Sequence, residues 1–466
     1  MLKITKHPAF RDYFLCVLLI AYIGVLIWLA SDRPDLLLFY RNTQFQTLSV
    51  TAVLILATTY IYLFATGILC CFYRPYPIIT DDSKLPTCTV IVPAYNEGEH
   101  VEITLQSLLK SDYPRDKFEI IVINDGSEDD TWDYIKRGAE AAPKGLVTAI
   151  NLPLNCGKKN ALYIGTKKAS GEIVVTVDSD SLVSPHTIRA LVSPMNTDPQ
   201  IGAVAGALRV KHYEQHVIAA LFDVLMVFGC EFLRAAQSVT GLALCTPGAL
   251  SCYRRKALLP VLDEWIRQTF LGKPAHIGED RALATLVLRS NYKIVHQRPA
   301  IAQTCVPDNI PGVWKMLLRW NRGDLRENLR MTKFAFKNFP QWNVRSWVLL
   351  AYWVALMQNL TLPFLFVPSY IFMIFFGAKN PVVFLAAHSL LSLVWALIPA
   401  VIYGYYTRPR KAVWAFLYGI FCPFLLAFMT IYCILTLRDS RWMTRSVKKD
   451  KKQQTAAEEV DVPNAV

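Results

Sequence analysis

Charged residues are scarce in this sequence of 466 residues. They make up 18% of the chain, whereas an average soluble protein has about 25%. Apolar residues reach 53%, which argues against intrinsic disorder. They are also clustered rather than evenly spread, which argues against a wholly soluble protein.

Two common binding patterns are missing. The 11 cysteines include no CxxC pair and have no regular spacing, which argues against a disulfide framework and a zinc site. The phosphate-binding pattern GxxxxGK is absent, although Gly157 precedes Lys158 and Lys159. The net charge of +13 would suit nucleic-acid binding, but the basic residues flank apolar runs. We therefore expect a membrane lipid partner and no nucleic acid.

Five apolar runs predict membrane segments, two before the central part of the chain and three after it. They are Tyr13–Ala30, Leu48–Phe72, Trp347–Phe376, Pro381–Tyr406 and Ala412–Leu437. An uncharged run of about 18 residues is long enough to span hydrocarbon as a helix. A cleaved signal peptide is the alternative for the first run, but the closely following second run favours an uncleaved anchor.

Basic residues beside these runs predict their orientation. Lys3, Lys6 and Arg11 place the N-terminus in the cytoplasm, and two crossings return the chain there near Arg74. The sequence therefore predicts a multi-pass protein of the plasma (inner) membrane with a cytoplasmic central domain.

The last apolar run cannot be a simple fifth crossing, because a basic tail follows it and basic tails stay in the cytoplasm. A fifth crossing would place that tail outside, so we expect Ala412–Leu437 to lie in the interface or to re-enter around Pro423. The alternative is that Trp347–Phe376 splits at Pro363 and Pro368 into a tight hairpin.

The runs divide the chain into five predicted parts. These are two membrane helices over 1–75, a cytoplasmic domain over 76–310, amphipathic interface helices over 311–346, transmembrane or re-entrant helices over 347–437, and a basic tail over 438–466. In the domain, short β-rich runs alternate with helical stretches, which predicts a parallel, Rossmann-like α/β sheet. The expected strands are Cys88–Val92, Glu119–Asn124, Leu146–Asn151 and Glu172–Val177, with helices over Val101–Lys110 and Gly157–Lys168.

Acidic and polar residues follow three of these strands, at Pro93–Glu97, Asn124–Ser127 and Asp178–Asp180. One such turn is usually a helix cap, but three converge on one crevice because ligands of parallel sheets bind at strand carboxyl ends. The paired carboxylates of Asp178 and Asp180 suit Mg²⁺ or Mn²⁺ shared with a diphosphate, as in a nucleotide sugar. The lysines after Gly157 would offer positive charge to that diphosphate.

Two later motifs have both a structural and a functional interpretation. Gly278–Arg281 begins a helix, so Glu279 and Asp280 are either first-turn acids or include a base for an acceptor hydroxyl. Arg319 and Trp320 lie in an amphipathic stretch expected at the membrane surface. They would also suit an acceptor site, where the indole stacks on a sugar and the guanidinium group pairs with phosphate.

PAYNEG, NDGS, DSD, GED and RW occur in the order found in the processive family 2 glycosyltransferases. The chain most resembles the hyaluronan synthases, and it is similar to the nodulation chitin-oligosaccharide synthases over the same stretch. Further similar segments are Glu231–Thr240, Gln268–Gly272, Ile277–Arg281, Val306–Asp308 and the tail around Arg441–Arg445. The resemblance is strong over about 85–330 and loose in the membrane parts.

The resemblance implies a GT-A glycosyltransferase domain inserted between transmembrane helices, with Mg²⁺ or Mn²⁺ as cofactor. Its catalytic positions match Asp178, Asp180, Glu279 and the base Asp280, with the metal at Asp180. Its nucleotide-binding positions match Ala94, Tyr95, Glu97 and Asp125, and its diphosphate position matches Lys158 or Lys159. Its acceptor positions match Gly248, Arg319 and Trp320. Its gating segment matches the tail with Trp442 and Arg445.

Two departures bear on the product. Met316 replaces the glutamine of the Q-x-x-R-W motif, and Pro247-Gly248-Ala249 stands where hyaluronan synthases have Ser-Gly-Pro. The resemblance implies a processive inverting enzyme that uses a UDP-sugar donor and a growing polysaccharide acceptor. Hyaluronan, from UDP-GlcNAc and UDP-GlcA, is the favoured product and is translocated through the membrane. Alternatives are chitin-like, poly-N-acetylglucosamine or glucan products, a non-processive lipid-carrier transferase, and a pure transporter, which leaves the acidic strand ends unexplained.

Overall fold

A mixed sheet of eight strands forms the centre of the protein. The computed structural model describes residues 12–21, 23–24, 43–211, 213–337, 345–358, 360, 363–364, 393 and 396–439. The strands are β1 (Cys88–Ala94), β2 (Phe118–Asp125), β3 (Val147–Leu152), β4 (Ile173–Val177), β5 (Leu182–Val183), β6 (Ile201–Val210), β7 (Leu250–Arg254), the hairpin of β8 (Thr269–Phe270) and β9 (Lys273–Pro274), and β10 (Lys293–Thr304). The order in the main sheet is β3-β2-β1-β4-β7-β6-β10-β5.

Helices cover both faces of this sheet. They are α1 (Thr43–Phe72), α2 (His100–Leu109), α3 (Thr131–Glu140), α4 (Lys158–Lys168), α5 (Thr187–Thr197), α6 (Val217–Val227), α7 (Ala235–Val239), α8 (Arg255–Ile266), α9 (Glu279–Arg289), α10 (Ile310–Lys337) and α11 (Ala412–Leu435). A π-helical segment, Phe228–Arg234, joins α6 to α7. Residues 12–21, 345–358 and 396–406 are also helical.

The β-rich runs form strands because both of their faces are buried. Along β1, Val90 and Val92 pack with α2, α3 and α5, whereas Ile91 packs with α4, α8 and α9. A strand buried on both sides has a nearly continuous apolar sequence, and all seven residues of β1 are buried. The strands and helices expected over 88–177 are present, with ends displaced by one or two residues.

The prediction of a fully parallel sheet is wrong beyond β4. Strands β1 to β4 are parallel, but β7 lies between β4 and β6 and is antiparallel to both. Strand β5 is also antiparallel, to β10. The five residues of β7 fill the gap between two parallel neighbours and bring the preceding loop, with Gly248, to the edge where β4 ends.

The long C-terminal helices correct a second prediction. Helix α11 runs unbroken through Pro423, so the chain does not turn back there, and the alternative expectation that the run lies in the interface stays a prediction. A proline removes one backbone hydrogen bond, and its φ is already helical. Within the described part of the chain, no helix has both the length and the apolar character that a membrane crossing requires. All of the residues 365–392 lie outside the described part of the chain.

Candidate active site

The ends of β1 and β2 are held together by hydrogen bonds between their turns. The amide of Asn96 donates to Ser127 Oγ at 3.0 Å, and the amide of Glu128 donates to Asn96 Oδ1 at 2.9 Å. Asn96 takes a positive φ of 50°, a conformation that asparagine tolerates better than most residues. These bonds hold Tyr95 and Glu97, which flank Asn96, beside the turn after β2.

Asp125 is the buried carboxylate at the end of β2. Its Oδ1 accepts from the Cys156 amide at 3.0 Å, which ties this turn to the loop before α4. Gly126 has a φ of 66°, and a Cβ there would lie 2.4 Å from the backbone of Leu154, so only glycine fits. Burial raises the pKa of Asp125 to about 6, although amide hydrogen bonds oppose the shift.

The turn after β4 contacts the end of β1 through its middle residue. Ser179 Oγ donates to Glu97 Oε1 at 2.7 Å. Asp180 and Glu97 both act electrostatically on Cys305, which follows β10, so the three side chains are neighbours. Three of the predicted acidic positions, Glu97, Asp178 and Asp180, therefore meet at one edge of the sheet.

Lys158 joins this edge to the turn Gly278–Arg281, the predicted catalytic turn. Its ammonium group pairs with Asp178 and lies 3.4 Å from Glu279 Oε1. Burial disfavours the charged form, but Asp178 and Glu279 outweigh it and raise the pKa of Lys158 above its ordinary value. Lysine is thus a permanent cation here. Gly248 lies directly against it, since a Cβ at this position would be 2.8 Å from Lys158 Nζ and 3.7 Å from Asp178 Oδ1.

Lys159 points elsewhere, although it is the next residue of α4. Its Nζ donates to the carbonyl of Ala275 at 3.1 Å and lies 5.2 Å from the ring centre of Trp265. The indole Nε1 of Trp265 in turn donates to the carbonyl of Glu279 at 2.9 Å. Of the two lysines expected at the diphosphate, only Lys158 lies beside Asp178. Lys159 instead contacts Ala275 and Trp265.

Asp280 is the half-buried carboxylate of the catalytic turn. Its Oδ1 accepts from the Arg281 amide at 2.8 Å, and its Oδ2 lies 3.9 Å from Cys245 Sγ. Burial raises the pKa of Asp280 to about 6, Glu279 adds to the rise, and Lys158 opposes it. A carboxylate with this pKa is ionised at neutral pH and still basic enough to take a proton from a reacting hydroxyl.

Helix α10 closes the other side of the site. It touches the catalytic turn through two glycines, because a Cβ at Gly323 would lie 2.8 Å from Gly278 Cα. Arg319 is close enough to Lys158 to lower its pKa slightly. Trp320 packs edge-on against Phe222, with ring centres 6.3 Å apart. Two of the three predicted acceptor residues, Arg319 and Trp320, thus lie on the helix that borders Asp280.

The carboxylates at the end of β4 fit a hard divalent cation that also takes oxygens from a ligand. Asp178 and Asp180 supply oxygen ligands of the type that Mg²⁺ and Mn²⁺ prefer. Across the described residues, no three acidic, histidine or cysteine side chains are grouped closely enough to hold a metal by themselves. A cation here would therefore depend on phosphate oxygens, which is usual for Mg²⁺.

Residues 89–259 match the family Glycosyl transferase family 2. An N-acetylglucosaminyltransferase of Azorhizobium caulinodans is 29% identical over 361 residues, which are 77% of this chain and 87% of that protein. The chain is a glycosyltransferase. N-acetylglucosaminyltransferases of Rhizobium leguminosarum bv. viciae and Rhizobium meliloti are each 34% identical, over 53% and 52% of this chain. The matches span only 58% and 57% of those two proteins.

The fold of this glycosyltransferase is also found in a solved structure. A mannosyltransferase from Pyrobaculum calidifontis, in complex with GDP-Man and Mn²⁺, superposes with a TM-score of 0.55. It is 22% identical and covers 80% of this chain and 98% of its own. The expected GT-A-like fold is thereby confirmed for the central domain.

The structure gathers most of the predicted site residues of the glycosyltransferase at one edge of the sheet, whereas Lys159 points away from it. Ala94 is buried at the end of β1 and positions Tyr95 rather than offering a side chain. Trp442 and Arg445 lie outside the described residues. Sequence reasoning missed Cys245, Cys305 and Asp324, which neighbour the predicted carboxylates. For Asp324 a signal existed, because it follows Trp320 by one helical turn.

Proposed function

We propose that the chain transfers N-acetylglucosamine from UDP-N-acetylglucosamine to the end of a growing saccharide, with inversion at the anomeric carbon. One observation carries this proposal: Lys158 joins Asp178, at the donor edge of the sheet, to Glu279, the neighbour of Asp280. The expected diphosphate and proton acceptor thereby belong to one crevice. The names of the three rhizobial relatives support the choice of sugar.

Each residue has a distinct task in this reaction. Asp125 and Tyr95 hold the nucleotide, and Lys158 pairs with the diphosphate. Asp280 takes the proton of the acceptor hydroxyl as its oxygen attacks the anomeric carbon and the bond to UDP breaks. A divalent cation, Mg²⁺ or Mn²⁺, held by Asp180 and Asp178, would stabilise the negative charge on the diphosphate.

The donor assay tests this function directly. Purified full-length protein is incubated with labelled UDP-N-acetylglucosamine, alone and together with UDP-glucuronate, and the product is digested with chitinase or hyaluronidase. We expect a chitinase-sensitive product from the single donor. A product that requires both donors and is digested only by hyaluronidase would replace this proposal with hyaluronan synthesis. If neither donor reacted, both proposals would be contradicted.

The cation site has a test that does not depend on turnover. Asp180→Asn should weaken Mn²⁺ binding in the presence of UDP, measured by electron paramagnetic resonance, because one ligand oxygen loses its charge. Asp116→Asn is the matched control, since Asp116 is exposed before β2, at the opposite end of the strand from the site. Equal Mn²⁺ binding by both variants would contradict a cation at Asp180.

We also propose that the flanking helices lie in the plasma membrane, with the catalytic domain in the cytoplasm, and that they pass the product across. Large apolar side chains are exposed on these helices, which supports contact with lipid: Tyr13, Phe14, Ile61, Phe64, Phe72, Val401 and Tyr405. A reporter fused after Lys452 should be cytoplasmic, whereas an external signal would contradict the predicted topology. Sealed vesicles with the catalytic domain outside should accumulate product inside.

The tail is proposed to close over the bound donor through Trp442 and Arg445. A chain truncated before Arg438 should then lose most of its polymerisation while keeping its expression and membrane fraction. Full activity of the truncated chain would contradict this role.

A further inference from the structure

Asp324 is a carboxylate beside the catalytic turn that none of the motifs includes. It lies on α10 four residues after Trp320, so the two side chains leave the helix on the same side. Its Oδ1 is 3.7 Å from Nε of Arg281, and 57% of its side chain is accessible to solvent.

The charged groups around Asp324 place it close to the base. Burial by the surrounding chain raises its pKa even though the side chain is accessible, and Arg281 and Arg234 oppose the rise. The charge of Asp324 acts in turn on Asp280 and Cys245. Asp324 is therefore a solvent-accessible carboxylate close to Arg281 and to the base.

The approach of α10 to the base depends on a contact between two glycines. A Cβ at Gly278 would lie 2.8 Å from Gly323 Cα, and a Cβ at Gly323 would lie 2.8 Å from Gly278 Cα. Gly278 also has a φ of 77°, which favours glycine independently. The contact brings the residue after Gly323 next to Asp280.

The arginine beside Asp324 is already occupied by other groups. Arg281 donates to the carbonyl of Leu244 and to Asn328 Oδ1, and only 5% of the residue is exposed. It therefore does not offer its charge to a ligand beside Asp324. Asp324 itself offers an accessible negative charge next to Asp280.

We propose that Asp324 is a specificity residue of the acceptor site. Its carboxylate accepts hydrogen bonds from the hydroxyl groups of a neutral acceptor sugar and repels an acceptor sugar that carries a carboxylate. The inference rests on the proposed function, because it takes a saccharide acceptor as given. It also disfavours glucuronate as the last sugar of the growing chain.

The test compares two acceptors on three proteins. Full-length protein, Asp324→Ala and Asp324→Asn receive UDP-N-acetylglucosamine with an N-acetylglucosamine oligosaccharide, or with the same oligosaccharide ending in glucuronate. Asp324→Ala should raise KM for the neutral acceptor about tenfold, the effect of losing one hydrogen bond to a charged group, and leave KM for the donor unchanged. Asp324→Asn should lower the preference for the neutral acceptor at least about tenfold, because the repulsion is gone.

Calorimetry of both oligosaccharides in the presence of UDP gives the same comparison without turnover. Asp116→Asn should match the unaltered protein in every measurement. If the Asp324 variants remain active with an unchanged acceptor preference, the assignment of Asp324 is wrong while the proposed function stands. If the unaltered protein transfers no sugar and binds neither oligosaccharide, the proposed function fails first and the assignment fails with it.

Discussion

The donor side and the acceptor side of the crevice are built in different ways. On the donor side, the acidic residues lie at or just after strand ends, and short turn hydrogen bonds such as Asn96 to Ser127 hold them, while Lys158 comes from the start of α4. On the acceptor side, Gly248, Asp280 and Arg319 come from three distant segments that only tertiary packing brings together. The comparison teaches that local backbone geometry positions the proposed nucleotide site, whereas the packing of α10 and the β7 loop positions the proposed acceptor site.

The largest expected effect is at Asp280, where the two sides meet. Asp280→Asn should slow transfer by roughly 10²–10⁴-fold, the range for a lost general base. UDP binding should stay near normal, because the donor side does not depend on this carboxylate. Titration calorimetry with UDP is the check. If UDP affinity fell as much as the transfer rate, Asp280 would also be needed on the donor side.

The two adjacent lysines of α4 sharpen the comparison. Lys158→Met should weaken UDP-sugar binding by about 10–100-fold, because it removes a charged partner of the diphosphate. Lys159→Met should leave that affinity within about twofold, since Lys159 binds the Ala275 carbonyl. It should instead lower the melting temperature, which thermal denaturation measures. If Lys159→Met weakened donor binding more than Lys158→Met, Lys159 rather than Lys158 would be the partner of the diphosphate.

Gly248 is where the acceptor loop touches the donor site. Gly248→Ala should reduce kcat by about tenfold, because the new methyl group displaces the flexible end of Lys158 and this costs roughly 1.4 kcal/mol at the transition state. Gly229→Ala is a matched control, since a Cβ at Gly229 meets nothing within 4 Å. Equal rates for both variants would show that the contact at Gly248 is tolerated.

The smallest expected effect is a change of the kinetic constants with pH, which should differ between the donor side and the acceptor side. Because the pKa of Asp280 is raised to about 6, the base is protonated below that pH, and kcat should fall about twofold between pH 7 and pH 6. Asp125, whose pKa is also raised to about 6, lies on the donor side, so its protonation should appear in KM for the donor. A kcat that is flat between pH 5 and pH 7 would contradict Asp280 as the base.

The sequence predicts the donor side well and the acceptor side incompletely. Asp125 and Asp178 follow from a local rule, because the ends of parallel strands share one edge. The choice between Lys158 and Lys159 depends on the rotation of α4 against the sheet, which periodicity does not define. The antiparallel β7 was missed because five residues carry little pattern, and Asp324 because its role depends on a contact between glycines about 45 residues apart.

The ammonium group of Lys158 affects the stability of the fold when no ligand is bound. Two carboxylates, Asp178 and Glu279, face one another across it, and by themselves they would repel. The crevice thus contains its own counter-ion, held on a helix that is part of the core. A chelating agent should therefore stop catalysis without unfolding the domain. An incoming diphosphate would replace Asp178 and Glu279 as partners of the Lys158 ammonium group.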